Sequence, residues 1–274
     1  MAAKPRGPVS RPASGRHFLL PRVAAEVVAA ACLEPGELVV DAGAGSGRLT
    51  EPLAARGARV LAVERDPALA AGLRRRFPSG QVMVVEADVL QLSLPQQPFR
   101  VLANLPFATA NELLRRLFAD PCSPLTGVDV IVQEQVALKR CRARPATLAA
   151  LLALPWWTFR IERQLPAACF QPPPSVDAAL LCARRRPQPL VDPGCHAAYS
   201  ALLRRGFARP QQPLRRTLGA GREGWKRFAR GRGIALDARP PQLDVWDWAA
   251  LLTQLDFMDG GSRRRTPGRV GADG

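Results

Sequence analysis

Leu38-Val-Val-Asp41-Ala-Gly43-Ala-Gly45-Ser-Gly47 is an apolar run that ends in an acid and then places glycine at every second position. The first half reads as a short buried strand. The second half reads as a tight turn whose backbone, free of Cβ atoms, can approach a ligand closely. Glycine-rich turns also serve as plain connectors, so the loop takes its meaning from its flanks. It is not a Walker A loop, because no Lys-Ser/Thr follows. Working outward, 59–63 (RVLAV), 82–86 (VMVVE), 100–103 and 128–133 (VDVIVQ) are further runs of strand length. Between and before them, 21–32, the segment after Gly47 to about Arg56, 67–77 and 110–118 read as helices. This alternation predicts an α/β fold with a doubly wound parallel sheet. Segments 158–164 and 178–184 read as two later strands forming an antiparallel edge. After Pro187-Gln-Pro189 the segments 196–207, 213–218, 224–231 and 245–255 are helical with no strand between them, which predicts a small all-α C-terminal domain. The expected organisation is a disordered basic tail at 1–15, the sheet domain at 16–187, the helical domain at 188–259 and a disordered Arg/Gly-rich tail at 260–274.

Three acids stand where the first three strands end. Asp41 precedes the loop, Glu64 closes the second strand and Asp88 lies just past the third. A carboxylate at position 64 can accept hydrogen bonds from both ribose hydroxyls of an adenosine, and one at position 88 from the adenine amine. Either acid alone is as readily a solvated strand end; in register with the loop they outline one nucleoside site. A nicotinamide dehydrogenase would share the loop and the acid but would not predict Asn104-Leu105-Pro106-Phe107 at the end of the fourth strand. There an Asn side-chain carbonyl and a Pro-fixed backbone carbonyl can accept both protons of an exocyclic amine, while the ring stacks on its base. An aryl amine is a poor nucleophile because its lone pair is conjugated with the ring. Holding both N–H groups draws the nitrogen toward sp³ and aims the pair at an electrophilic methyl, by positioning and electrostatics and without a metal.

These residues resemble the S-adenosylmethionine-dependent rRNA adenine-N6 methyltransferases. Within them the chain is most similar to the Erm enzymes, which modify 23S rRNA and confer macrolide–lincosamide–streptogramin B resistance. The likeness runs over about 16–255 and rests on Arg16-His17-Phe18-Leu19, Asp41 to Gly47, Glu64, Asp88, Asn104 to Phe107, and Phe170-Gln-Pro-Pro-Pro-Ser-Val176. It implies a class I (Rossmann-like) methyltransferase domain with S-adenosylmethionine as cofactor. It also implies that the segment from His17 to Leu19 closes over that cofactor, with Gly43, Gly45, Glu64, Asp88, Val89 and Asn104 lining its site. Phe107 would stack on a flipped adenine and Phe170 would sandwich it from the other side. Two departures stand out. The family usually has Asn where His17 stands, so the hydrogen bond can persist but becomes titratable. It commonly has Tyr where Phe107 stands, and stacking needs only the ring.

Thirty-nine Lys and Arg against 23 Asp and Glu give a formal net charge of +16 over 274 residues, which points to a polyanionic partner. The excess is uneven: residues 23–100 carry eight arginines and nine acids, whereas 203–232 carry ten basic residues and one acid, Glu223. Lys139, Arg140, Arg142 and Arg144 form a further cluster, and Arg184 to Arg186 another; Lys139 and Arg140 are expected to contact RNA. A charge run is usually a solvated face, yet this density argues for phosphate contact. No apolar stretch is long enough for a transmembrane helix, and the N-terminus lacks the apolar core of a secretory signal. Six cysteines without a C-x-x-C pair read as reduced core thiols of a cytoplasmic protein rather than a disulfide framework or metal site. Trp156-Trp157 are expected in the core between sheet and helices.

The expectation is therefore a monomeric enzyme that methylates N6 of an adenine in 23S rRNA, naked or in pre-50S particles, with no membrane or protein partner. The nearest alternative is a 16S rRNA adenine dimethyltransferase, which shares every catalytic motif. Asn-Leu-Pro-Phe, the Trp-Trp pair, the linker and the Arg-rich tail favour 23S. A non-catalytic RNA-binding factor on the same fold, as in mitochondrial transcription factors, is disfavoured by the intact 104–107 motif. A DNA adenine methyltransferase is a third alternative.

Overall fold

The computed structural model describes residues 17–259 except 79, 143–146 and 220. The tails expected at 1–15 and 260–274, together with Arg16 and Arg144, lie outside the described residues. Strands β1 to β9 span Phe18–Leu19, Leu38–Ala42, Arg59–Glu64, Val82–Glu86, Phe99–Asn104, Leu125–Gln133, Trp157–Leu165, Phe170–Gln171 and Ala178–Arg185. Helices α1 to α10 span Pro21–Ala30, Thr50–Ala55, Pro67–Arg76, Ala110–Leu117, Glu134–Cys141, Leu148–Leu151, His196–Phe207, Leu214–Thr217, Arg222–Arg232 and Val245–Asp259. Helix α3 begins where Asp66 accepts the amides of Ala68 and Leu69 and Pro67 supplies a preset φ, the two start signals acting together.

Seven strands form one sheet in the order β4-β3-β2-β5-β6-β9-β7. The pairs β2–β3, β3–β4, β2–β5 and β5–β6 are parallel, and β6–β9 is antiparallel. The chain runs outward from β2 through β3 to β4 and then returns to β5 beside β2. That reversal opens a crevice beyond the carboxyl ends of β2 and β5. Strand β9 is not the edge; β7 is. A second, two-stranded ribbon pairs Phe18 with Gln171 and Leu19 with Phe170.

The described chain divides into two compact units. One holds the chain up to Phe118 with Ser123–Cys141 and Phe159–Arg185. The other holds Ala119–Cys122, Arg142–Thr158 and the chain from Arg186 on. The helical unit thus draws in residues that the sequence reading gave to the sheet. Trp156 shows why: it is buried, donates from Nε1 to the Val191 carbonyl at 2.9 Å, and stands edge-on to Tyr199.

Two expectations change. Of the six cysteines, all free, only Cys182 is buried; Cys32 and Cys122 are exposed and the other three are intermediate. Arg184 to Arg186, expected to add to RNA-facing charge, are half-buried and committed to the protein. Arg184 pairs with buried Asp129 at 2.8 Å, Arg185 donates to the Ser123 and Leu125 carbonyls, and Arg186 donates to the Leu154 carbonyl. Guanidiniums bury readily when their N–H groups find oxygens, and five carbonyls and a carboxylate supply them here, those of Val128 and Ala183 also accepting from Arg184.

Candidate active site

A cavity of about 360 Å³ opens at the topological switch, within the range of small-molecule sites. Its lining brings together His17, Leu19, Gly43, Gly45, Glu64, Asp88, Val89, Asn104 to Phe107 and Phe170. These come from the ends of four strands and from the two-stranded ribbon. It also includes residues not singled out from the sequence, among them Arg48, Arg65 and Thr109.

The glycine loop is shaped by its neighbours. Gly45 has φ +58, and a Cβ there would lie 2.9 Å from the Phe18 ring. Gly47 has φ +83, and a Cβ would meet Leu73 at 2.9 Å. Both positions demand glycine twice over, for conformation and for space. The Gly43 and Ala44 amides donate to the Val63 carbonyl, while the Gly45 amide donates to Glu64 Oε2 at 2.8 Å. Glu64 Oε1 accepts from the Asp66 amide at 2.9 Å. The carboxylate is thus fixed through both oxygens, and each retains a lone pair for a ligand hydroxyl.

Asp41 is 1% exposed. Its Oδ2 accepts from the Thr50 hydroxyl at 2.6 Å, whereas its buried Oδ1 has no partner among the described residues. Burial, reinforced by the nearby Glu64 charge and opposed by the Thr50 hydrogen bond, pushes its pKa up to about 7. An orphaned oxygen in a cavity wall is a ready acceptor for a polar ligand. Asp88 accepts the Leu90 amide at 2.9 Å through Oδ1. The loop it begins is gripped by Arg116 of α4, which donates to the carbonyls of Val89 (2.6 Å) and Leu92. Nothing in the local sequence signals Arg116; only the packing of α4 brings it there.

Asn104 donates from Nδ2 to the His17 carbonyl at 2.8 Å, so its Oδ1 is the atom left to accept. His17 in turn donates from Nδ1 to the Pro172 carbonyl at 2.9 Å, and its ring centroid lies 6.2 Å from that of Phe107. The Pro106 carbonyl already accepts from the amides of Thr109 and Ala110 and from the Thr109 hydroxyl. The Leu105 carbonyl accepts none of the described hydrogen bonds. Of the two carbonyls at this turn, that of Leu105, which precedes Pro106, is therefore the one without a described partner. Phe107 is partly exposed, whereas Phe170 is 4% exposed and belongs to the core while lining the cavity.

The basic residues separate into two sets. Arg140, expected to reach RNA, is 7% exposed with its guanidinium 6.0 Å over the Phe118 ring, and burial lowers its pKa to about 10. It lies one turn from buried Ala137 on α5, so helical periodicity turns it inward; Lys139 and Arg142 are exposed. In the helical unit Arg204, Arg205, Arg209, Arg215, Arg216, Arg227 and Arg230 are exposed. Ion pairs among the described residues of 203–232 are limited to Lys226–Glu223 and Arg232–Asp247. The positive charge there is mostly uncompensated. Among the described residues no group of three or more His, Cys, Asp or Glu could hold a metal, and no helix is long and apolar enough to cross a membrane.

Comparison with known proteins finds the family model for ribosomal RNA adenine dimethylase matching residues 10–253. The mycinamicin-resistance protein MyrB of Micromonospora griseorubida is 34% identical, with 94% of this chain and 85% of that protein covered. Ribosomal RNA small subunit methyltransferase A of Thermosynechococcus vestitus is 33% identical over 86% of this chain and 93% of its own length. Among solved structures, the 23S rRNA methyltransferase ErmE superposes with a TM-score of 0.75 at 26% identity, covering 87% of this chain and 99% of that one.

Proposed function

The chain belongs to the ribosomal RNA adenine dimethylase family and is an S-adenosylmethionine-dependent rRNA adenine methyltransferase with a Rossmann-like fold, and from that premise we propose that it methylates N6 of an adenine in 23S rRNA and so confers macrolide-type antibiotic resistance. The observation that carries the choice of 23S is the likeness, along nearly the whole chain, to a mycinamicin-resistance protein, together with that to ErmE. A 16S reading has its own support, because a small subunit methyltransferase matches at nearly the same identity. Mass mapping of methylated adenines in 23S and 16S rRNA, treated with the protein or left untreated, separates the two. Methyl groups confined to 16S rRNA would overturn the proposal.

The cavity fits the cofactor: a glycine cradle without Cβ atoms, an orphaned buried carboxylate oxygen and two further strand-end acids line one side of it. Bound there, S-adenosylmethionine supplies an electrophilic methyl on a sulfonium sulfur. Glu64 would accept the ribose hydroxyls with its remaining lone pairs, and Gly43 and Gly45 would let the backbone close on them. Asp88 and Val89 would line the adenine of the cofactor, with Arg116 holding their loop from behind. His17 and Leu19 would cover the opening.

Asn104 Oδ1 and the Leu105 carbonyl would accept the two protons of the target N6 amine. The donated Nδ2 bond to the His17 carbonyl prevents the Asn104 amide from presenting its N–H₂ instead. When the methyl passes from the sulfonium, its C–S bond breaking with the electron pair left on sulfur, the nitrogen would carry the positive charge, and these two oxygens would stabilise it until a proton departs to solvent. Phe107 would stack on the flipped base, and Phe170, seated in the core, would form the opposite wall. Lys139 and the exposed arginines of 203–232 would hold the surrounding RNA by its phosphates. We further propose that the enzyme acts as a monomer in the cytoplasm.

A further inference from the structure

Of the five tryptophans, Trp156, Trp157, Trp225 and Trp248 are each 2% exposed or less, whereas Trp246 is 54% exposed. Burying an indole is among the larger hydrophobic gains open to a side chain, so one left in water next to four buried ones calls for a cause. The core does not need Trp246. Two residues on, Trp248 fills the inner face of α10, packing so closely on Gly206 that a Cβ there would overlap its ring. Trp246 is instead mounted. The Arg186 guanidinium carbon lies 5.7 Å from the indole centroid, and its Nε donates to the Leu154 carbonyl at 2.8 Å. A cation anchored on the backbone thus lies over the half-exposed indole and restrains it. All three residues belong to the helical unit, the same unit whose residues 203–232 carry the uncompensated positive charge.

We propose that Trp246 is a stacking platform for an unpaired base of the RNA substrate. An aromatic face beside basic side chains is the chemistry by which proteins hold single-stranded nucleic acid: cations take the phosphates and the ring takes a base, whichever base it is. The charge on this unit selects a polyanion as occupant over an apolar protein surface. The inference rests on RNA being the substrate and is independent of which ribosomal subunit supplies it.

Trp246 is the one accessible tryptophan, so acrylamide quenching of the full-length protein reports on it. A short unstructured RNA should protect the quenchable fraction, and an abasic ribose-phosphate chain of equal length should not. Trp246→Leu should weaken binding of that RNA by about five- to a hundredfold, the loss expected of one stacked base. Trp246→Phe should restore most of it, and cofactor affinity should stay unchanged in both. Three results would each overturn the proposal: unchanged quenching with RNA bound, equal protection by the abasic chain, or wild-type RNA affinity in Trp246→Leu. Protection that appears without RNA as protein concentration rises would assign the indole to contact between copies of the chain, and would overturn it too. Methyl mapping on 23S and 16S rRNA is read separately, so failure of the platform is not confused with failure of the 23S assignment.

Discussion

Replacing Asp41 by Asn should raise stability relative to wild type as pH rises toward about 7, and hold that gain above it. The wild-type carboxyl is buried with one oxygen unpartnered, and its pKa rises from 3.8 in the unfolded chain to about 7. Below pH 3.8 both states hold the proton and burial is without electrostatic cost. Between there and pH 7 the folded state keeps a proton that the unfolded chain has released, so stability falls with rising pH by about 1.4 kcal/mol per unit. From pH 5 to 7 that amounts to about 3 kcal/mol, and above pH 7 the penalty levels off at about 4 kcal/mol in total. Asn carries no charge and its carbonyl can still accept from Thr50, so the variant escapes the pH-dependent penalty, while its NH2, in the place of the unpartnered oxygen, costs about 1–3 kcal/mol at every pH. Urea unfolding of both proteins, without cofactor and at pH 5, 6, 7 and 8, should give stability curves that diverge up to pH 7 and then run parallel. Circular dichroism is the appropriate probe, because all five tryptophans sit in the other unit. Curves parallel throughout would refute the reasoning, and so would a variant weaker than wild type at pH 8.

Asn104→Ala should cut methyl transfer by orders of magnitude while leaving cofactor affinity within about tenfold, measured by single-turnover kinetics and calorimetry; equal loss of both would make Asn104 chiefly a cofactor ligand. Glu64→Ala should weaken S-adenosylmethionine binding by ~1–3 kcal/mol and also lower the melting temperature, since two loop amides lose their acceptor. An unchanged dissociation constant would remove Glu64 from the site. Gly206→Ala should destabilise the helical unit by about 1–3 kcal/mol through overpacking against Trp248, read as an earlier tryptophan-fluorescence transition. Changing Arg204, Arg205, Arg215 and Arg216 together to Gln should lower RNA affinity and flatten its salt dependence without touching cofactor affinity. A wild-type salt slope would mark these four as ordinary solvated surface.

The sheet was legible because its inner strands are largely buried and so read as unbroken apolar runs, with β2 and β3 placed to within a residue; edge strand β4 was found by its β-branched run although Met83 on it is exposed. The ends of β2, β3 and β5 then converge on one crevice by topology, so the loop, Glu64 and Asn104 to Phe107 could be linked across 60 residues. Less legible were features set by packing. Two-residue strands such as β1 and β8 leave no periodic signal, and short α5 and α6 leave little more. Arg140 and Arg184 to Arg186 read as exposed charge because composition does not reveal which face of an element turns inward. Membership of 142–158 in the helical unit goes with bonds to residues far along the chain, among them Trp156 Nε1 to the Val191 carbonyl, the Tyr199 hydroxyl to the Leu151 carbonyl and the Leu190 amide to the Pro155 carbonyl. Arg116 and Thr50 serve the site through atoms they lend to other residues, which a motif does not record.

The bond from Asn104 to residue 17 ends on a main-chain oxygen, and so it places no demand on which amino acid occupies that position. The companion bond, from residue 17 to the Pro172 carbonyl, starts at a nitrogen attached directly to Cγ. Histidine Nδ1 and asparagine Nδ2 occupy equivalent places one bond beyond Cγ. Either side chain could therefore hold that tether, and the histidine found here keeps both bonds. Such an exchange is invisible to the reacting amine; what it adds is the bulk of a ring whose centroid lies 6.2 Å from that of Phe107.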